Sequence, residues 1–315
     1  MTRAFVFPGQ GAQTIGMGRD LAQAYPAAQA VFDEVDAALG EKLSTLIWEG
    51  DIDTLTLTAN AQPALMATSV AALRALGAEG ITVADHAAYV AGHSLGEYSA
   101  LVAAGSLALA DAARLLRIRG QAMQYAVPTG VGAMAALLGL DLDAARKVAR
   151  EAAQGQVCEA ANDNDPAQVV VSGHREAVER AIEIAKDHGA KRAILLPVSA
   201  PFHCKLMAPA ARVMAQALDD VDIAAPVVPL IANVTASATS DPTYIRSLLV
   251  EQVTRSVRWR ESVARMAALG VTEIWEIGAG KALSGMVRRI DKDLATLQIG
   301  TSQDVSHAKH SIEST

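Results

Sequence analysis

Ser94 stands in Gly92-His93-Ser94-Leu95-Gly96, between an apolar run at 87–91 and a helix-forming stretch at 97–103. A serine set between two glycines, after a strand and before a helix, is the pattern of a nucleophile elbow. The glycines permit a sharp turn and keep bulk away from the hydroxyl. The N–H groups at the helix start would stabilise an oxyanion forming beside it. The same five residues also suit a plain turn between two buried elements. The first reading predicts acyl transfer through a serine ester, which needs a base, oxyanion donors and a grip on the substrate.

Of seven histidines, His203 is placed best to be the base. It lies in Val198-Ser199-Ala200-Pro201-Phe202-His203-Cys204, on a loop after a strand and before a helix, where catalytic groups collect in α/β sheets. The chain order, serine before histidine, is also that of α/β-hydrolase-type chains. His93 adjoins the serine and should point away from it. His86, His174, His188, His307 and His310 sit in polar stretches or at the chain end. No Asp or Glu motif completes a triad, so a Ser94–His203 dyad is expected, with the imidazole held by a backbone carbonyl.

Gly9-Gln10-Gly11 is too sparse in glycine for a dinucleotide fingerprint, because Thr14 stands where the third glycine is needed, and no Gly-Lys-Ser/Thr follows for a P-loop. As a tight turn after a first strand it could present the Gln10 N–H, which with that of Leu95 would make a two-donor oxyanion hole; it could equally be only a turn. Arg119 is more telling. In the 110–123 helix it falls within the apolar face formed by Ala112, Leu115, Leu116, Ile118, Ala122 and Met123. A buried guanidinium needs an anion. Either an internal partner such as Glu97 or a substrate carboxylate could supply it.

The elements that must position these groups alternate between strand and helix. Strands are expected at 4–7, 87–91, 228–232 and 273–277. Helices are expected at 21–39, 63–76, 110–123, 206–218, 243–253, 257–269 and 282–290. This is the pattern of a mainly parallel α/β sheet. Between them, strands at 132–140, 157–161, 168–172 and 192–198 and helices at 141–153 and 175–188 give β-α-β-β-α-β, the order of a ferredoxin-like unit. An Asn-Asp-Asn-Asp-Pro turn at 162–166 joins the middle strands. The expectation is a large domain from residues 1–127 and 199–300, a small inserted domain at 128–198, and a flexible tail at 301–315.

The 315 residues carry a net charge of -7, which argues against nucleic-acid binding. Aromatics are only 4%, so the core must be built from small aliphatic residues. Cys158 and Cys204 have no metal-ligand or disulfide spacing. No signal peptide or membrane span is evident, and a cytoplasmic protein is expected. Lys281, Arg288, Arg289 and Lys292 form one cationic group, and Arg255, Arg258 and Arg260 another. Either could steer an acidic partner or be an ordinary solvated helix face.

With these residues assembled, the chain resembles the malonyl-CoA:acyl carrier protein transacylases of bacterial fatty acid synthesis. The resemblance runs through Phe7-Pro8-Gly9-Gln10-Gly11-Ala12-Gln13, Gln62-Pro63-Ala64, Gly92-His93-Ser94-Leu95-Gly96-Glu97, Arg119-Gly120, Ala161-Asn162, Gln168-Val169-Val170-Val171-Ser172-Gly173, Phe202-His203 and Glu276-Ile277-Gly278. It implies a hydrolase-like large domain carrying a ferredoxin-like small one, with the site in the cleft between them. It implies Ser94 as nucleophile, His203 as base, Arg119 as carboxylate clamp, and Gln10 and Leu95 as oxyanion donors. Gln252 matches the glutamine whose backbone carbonyl orients the histidine, Gln62 and Asn162 match pocket positions, and Phe202 would restrict the acyl pocket. The implied reaction carries malonyl from malonyl-CoA to acyl carrier protein through a malonyl-serine ester. It uses no metal or other cofactor, and the enzyme is expected to act as a monomer. A hydrolase using the same dyad and a non-catalytic carrier-binding subunit are the rival classes. Arg119 weighs against the first, and the intact Ser94 and His203 against the second.

Overall fold

The computed structural model describes residues 1–198 and 200–313. In chain order the strands are β1 (Arg3–Phe7), β2 (Tyr89–Gly92), β3 (Gly132–Leu138), β4 (Cys158–Asp165), β5 (Gln168–His174), β6 (Arg192–Leu195), β7 (Leu230–Ala232), β8 (Ser237–Thr239), β9 (Glu273–Ile277) and β10 (Ala295–Ile299). They form two sheets, of order β10-β9-β1-β2-β7-β8 and β4-β5-β3-β6. In the first, only β8 runs antiparallel to its neighbour. In the second, every pairing is antiparallel. Ala4, Phe5, Val6 and Phe7 are all fully buried, as befits a central parallel strand covered on both faces. The second sheet packs its own apolar layer against the Leu142–Ala153 and Arg175–Asp187 helices.

Two helices support the site from below, Thr58–Ala78 and Leu109–Tyr125. They approach closely because Gly120 carries no side chain: a Cβ there would lie 2.5 Å from the Ala59 Cα. Pro63 sits within the first of these helices. It has no N–H to give the Ala59 carbonyl four residues back, and Arg117 Nη1 donates to that oxygen instead at 2.8 Å. A proline can therefore stand beside Gln62 without leaving a buried acceptor unpaired.

Several expectations are corrected. The helix expected at 21–39 is two, Arg19–Ala24 and Pro26–Leu39, because the proline cannot continue a helix and suits the first turn of a new one. The 162–166 turn is mostly strand: β4 continues to Asp165, with irregular register between Ala160 and Asn162 and between Asp163 and Asp165. The segment after residue 300 is not a flexible tail. Ser302–Glu313 is a helix that buries Val305 and Ala308. Its start is a reciprocal cap, in which the Asp304 N–H donates to Thr301 Oγ1 and the Thr301 N–H to Asp304 Oδ2. Lys309 pairs with Glu79 at 2.8 Å. Residues 314 and 315, and the expected boundary at Ser199, lie outside the described residues. Among the described residues no helix is long and apolar enough to cross a membrane.

Candidate active site

The parallel pairing of β1 with β2 sets Phe7 opposite Gly92, so the Gln10 turn and the Ser94 turn leave the sheet side by side at its carboxyl edge. Ligands bind at this edge in open α/β sheets. Ser94 is left-handed, with φ 53°, a conformation that costs a non-glycine residue roughly 1–3 kcal/mol and is kept where the surroundings fix it. The Ser94 N–H donates to Asn233 Oδ1 at 2.8 Å, and the Ser94 carbonyl accepts from Gln252 Nε2 at 3.0 Å. Asn233 Nδ2 donates to the Gly92 carbonyl at 2.6 Å. Gly92 admits nothing larger, since a Cβ there would lie 2.0 Å from the Gly96 carbonyl.

His203 is also left-handed, with φ 58°. Its Nε2 is 2.8 Å from Ser94 Oγ and its Nδ1 is 2.8 Å from the Gln252 carbonyl oxygen. That carbonyl can only accept, so Nδ1 carries the proton and Nε2 faces Ser94 as an acceptor. Burial, and then the Arg119 charge, push the imidazole down to about 3, so it is neutral at physiological pH.

Arg119 is 1% exposed. Its Nη1 donates to Gln62 Oε1 at 2.7 Å, and its Nη2 to Gln252 Oε1 at 2.8 Å and Ser94 Oγ at 3.2 Å. Nε has no partner among the described residues. The internal pair with Glu97 is not formed, because the Gln252 side chain stands between them, giving Oε1 to Arg119 and Nε2 to Glu97. Among the described residues the guanidinium thus bonds to two neutral amide oxygens and a hydroxyl and to no carboxylate. Glu97 is itself 1% exposed, and burial raises its carboxyl to about 7.

Gln10 and Leu95 line the same cavity, of about 270 Å³, with Ser94, His203, Arg119, Gln62, Asn162 and Phe202. Neither the Gln10 nor the Leu95 N–H has a hydrogen-bond partner among the described residues, which leaves both available to an oxyanion. A chain of side chains ties the Gln10 turn to the guanidinium: Thr58 donates to Gln10 Oε1 at 2.9 Å, and Gln62 Nε2 to Thr58 Oγ1 at 2.8 Å. All the predicted site residues but Gln252 therefore line one cavity, and Gln252 lies buried behind it, bonded to Ser94, Arg119 and His203. Sequence reasoning missed Asn233 and Thr58. Thr58 is four residues before Gln62 on one helix, a spacing that could have found it; no local signal marks Asn233. His93 is turned away as expected, with its Nε2 2.9 Å from Asn164 Oδ1.

The irregular β4 re-aims successive side chains toward the first sheet. Asn162 lines the cavity and Asn164 meets His93. Asp163 pairs with Arg260 at 2.9 Å and Asp165 with Arg289 at 2.7 Å, both carboxylates being 1% exposed. Arg258 pairs with Glu261. Three of the cations read as candidate docking charges are therefore in ion pairs. Among the described residues no cluster of three metal-ligating side chains occurs.

A hydroxyl against a neutral imidazole, two N–H groups without partners among the described residues and a buried guanidinium beside the hydroxyl form a constellation suited to acyl transfer. Residues 4–296 match the acyl transferase domain family. The malonyl CoA-acyl carrier protein transacylase of Bacillus subtilis is 48% identical over 306 residues, 97% of this chain and 95% of that protein. The acyl-carrier-protein-S-malonyltransferase of Bartonella henselae, a crystal structure, superposes with a TM-score of 0.97 at 55% identity, covering 99% of this chain and 100% of that one. A malonyl-transacylase solved in complex with a type II PKS acyl-carrier protein superposes with a TM-score of 0.96 at 41% identity, covering 99% and 100%.

Proposed function

The chain belongs to the acyl transferase family, and from that membership we propose that it moves malonyl from malonyl-CoA to the phosphopantetheine thiol of an acyl carrier protein, supplying fatty acid elongation. The observation that carries the reading is Arg119: buried, hydrogen-bonded among the described residues only to neutral oxygens, and 3.2 Å from Ser94 Oγ. A neutral acyl chain has no use for that cation, whereas a malonyl carboxylate matches its planar fork.

In this reading His203 Nε2 takes the Ser94 proton as Oγ attacks the thioester carbonyl. The Gln10 and Leu95 N–H groups stabilise the tetrahedral oxyanion. Its collapse expels CoA thiolate, which takes the proton from His203. The ester waits with its carboxylate on Arg119. The carrier's thiol then gives its proton to His203 and attacks the ester carbonyl, and Ser94 leaves, reprotonated by His203. Gln62, Asn162 and Phe202 shape the pocket, the Gln252 carbonyl orients His203, and residues 128–198 cover the site as a small domain. Every step uses only side-chain and main-chain groups of this chain together with the two substrates. A cytoplasmic monomer would suffice.

Incubation with malonyl-CoA should add one malonyl mass to the peptide containing Ser94, and Ser94→Ala should abolish the adduct. Persistence of the adduct in that variant would overturn the reading. Arg119→Ala should slow malonyl acylation by roughly 10²–10³, the scale for truncating one partner of a buried charge pair, and slow acetyl acylation much less. Release of free malonate faster than transfer to the carrier would favour a hydrolase.

A further inference from the structure

Glu97 has no part in the scheme above, yet it is a buried carboxylate two hydrogen bonds from both the nucleophile and the clamp. It occupies the first turn of the Gly96–Ala103 helix that follows Ser94. Its Oε2 accepts from Gln252 Nε2, and its Oε1 from the Asn233 N–H at 3.4 Å. Gln252 is fully buried and serves three further groups besides Glu97. Its carbonyl holds His203 Nδ1, its Nε2 donates to the Ser94 carbonyl at 3.0 Å, and its Oε1 accepts from Arg119 at 2.8 Å.

The two ends of this amide face groups of opposite character. A guanidinium only donates, and an ionised carboxylate only accepts. With Glu97 on one side and Arg119 on the other, the amide has a single satisfied orientation. Turned over, it would set NH₂ against the guanidinium and its oxygen against both Glu97 and the Ser94 carbonyl. Resting on the assignment of Ser94, His203 and Arg119 above, we propose that Glu97 is a positioning residue: through Gln252, its carboxylate fixes the amide that aims Arg119 and braces the Ser94 turn. It therefore sets the preference for a carboxylate-bearing acyl group. The group that completes the constellation is a carboxylate after all, placed behind the clamp rather than behind the imidazole.

The test is the maximal rate of Ser94 acylation at pH 8, measured by quenched-flow mass spectrometry with malonyl-CoA and with acetyl-CoA. Glu97→Gln removes the charge and keeps the shape. Its maximal malonyl rate should fall at least tenfold and its acetyl rate less, so that the malonyl-to-acetyl ratio drops, while the half-saturating malonyl-CoA concentration does not rise. A general loosening of the fold would instead lower both rates alike. A ratio within twofold of wild type in a folded variant overturns the proposal. Pairing Glu97→Gln with Gln252→Glu keeps the net charge and moves the carboxylate onto Arg119. In that variant the ratio should fall at least tenfold, and an unchanged ratio again overturns the proposal. Failure of the wild-type protein to acquire malonyl would refute the underlying reading instead.

Discussion

His203 Nδ1 lies 2.8 Å from the main-chain oxygen of Gln252, so a peptide group fixes the imidazole where a carboxylate often does. A neutral carbonyl selects the tautomer but gives an imidazolium less support than an anion would, and Arg119 opposes that cation further. The low imidazole value follows from burial first and the Arg119 charge second, with the hydrogen bond to the Gln252 carbonyl acting the other way. Nitrogen chemical shifts should show His203 neutral, with its proton on Nδ1, down to below pH 5, whereas an ordinary histidine titrates near 6.5. The unfolded chain binds that proton and the native protein refuses it, so this residue's contribution to stability declines as pH falls below about 6.5. An imidazole titrating near 6.5 would contradict the assigned geometry.

Glu97 should give the opposite slope. Its carboxyl is raised to about 7 by burial, against the hydrogen bonds from Gln252 and Asn233 and the Arg119 charge. Between about pH 4.5 and 7 the native protein keeps a proton that the unfolded chain has released, so stability falls as pH rises through that window and levels off above it. Glu97→Gln cannot titrate. Measured by urea denaturation, it should gain on wild type by up to about 3 kcal/mol between pH 5 and pH 8. A gap independent of pH would exclude a raised carboxyl.

The left-handed backbone at Ser94 can be isolated by comparing two variants that both lack the hydroxyl. Ser94→Gly should be more stable than Ser94→Ala by roughly 0.5–1 kcal/mol, because glycine adopts positive φ without the Cβ clash. Both should be inactive. Denaturation midpoints in the reverse order would mean that the turn is not strained.

Phe202 lines the cavity and is 8% exposed. Phe202→Ser should open space beside the malonyl C2 and shift the methylmalonyl-to-malonyl ratio upward. One methyl group is worth about 1–3 kcal/mol of discrimination. Competition between the two thioesters reads this directly, and an unchanged ratio would remove Phe202 from the acyl pocket.

Arg289 pairs with the 1%-exposed Asp165, so reversing its charge is a stability experiment before it is a docking one. Arg289→Glu should lose about 1–3 kcal/mol, less than a fully buried pair because the arginine is half exposed. Among the described residues Arg288 bonds only to Thr296. Arg288→Glu should leave the melting temperature near wild type and would raise the KM for acyl carrier protein if this face steers it. Equal losses of stability in both variants would show that the Asp165 pair is not the cause.

What the sequence disclosed was set by how local each signal is. The elbow at Ser94 and the misfit of Arg119 on an apolar helix face are short-range patterns, and both led to the cleft. Asn233 and Glu97 act across 139 and 155 residues of chain, and nothing beside either one announces its partner. The terminal helix was hidden because only Val305 and Ala308 are buried, too few to make a periodic apolar face. The strand through Asp165 was hidden because four polar residues in a row look like a turn, and only the opposing Arg260, Arg289 and His93 make burying them favourable.

Those opposing groups bear on how the cleft can breathe. Asp163 and Asp165 join β4 to the Trp259–Ala268 and Ala282–Ile290 helices at two points on one strand. The backbone of Asp163 and of Ala161 also exchanges hydrogen bonds with Val257. A hinge running between the two sheets would have to break both ion pairs and this ladder together. Swinging one sheet away from the other would thus cost two ion pairs and two backbone hydrogen bonds at once, so these contacts brace the cleft against opening in that direction.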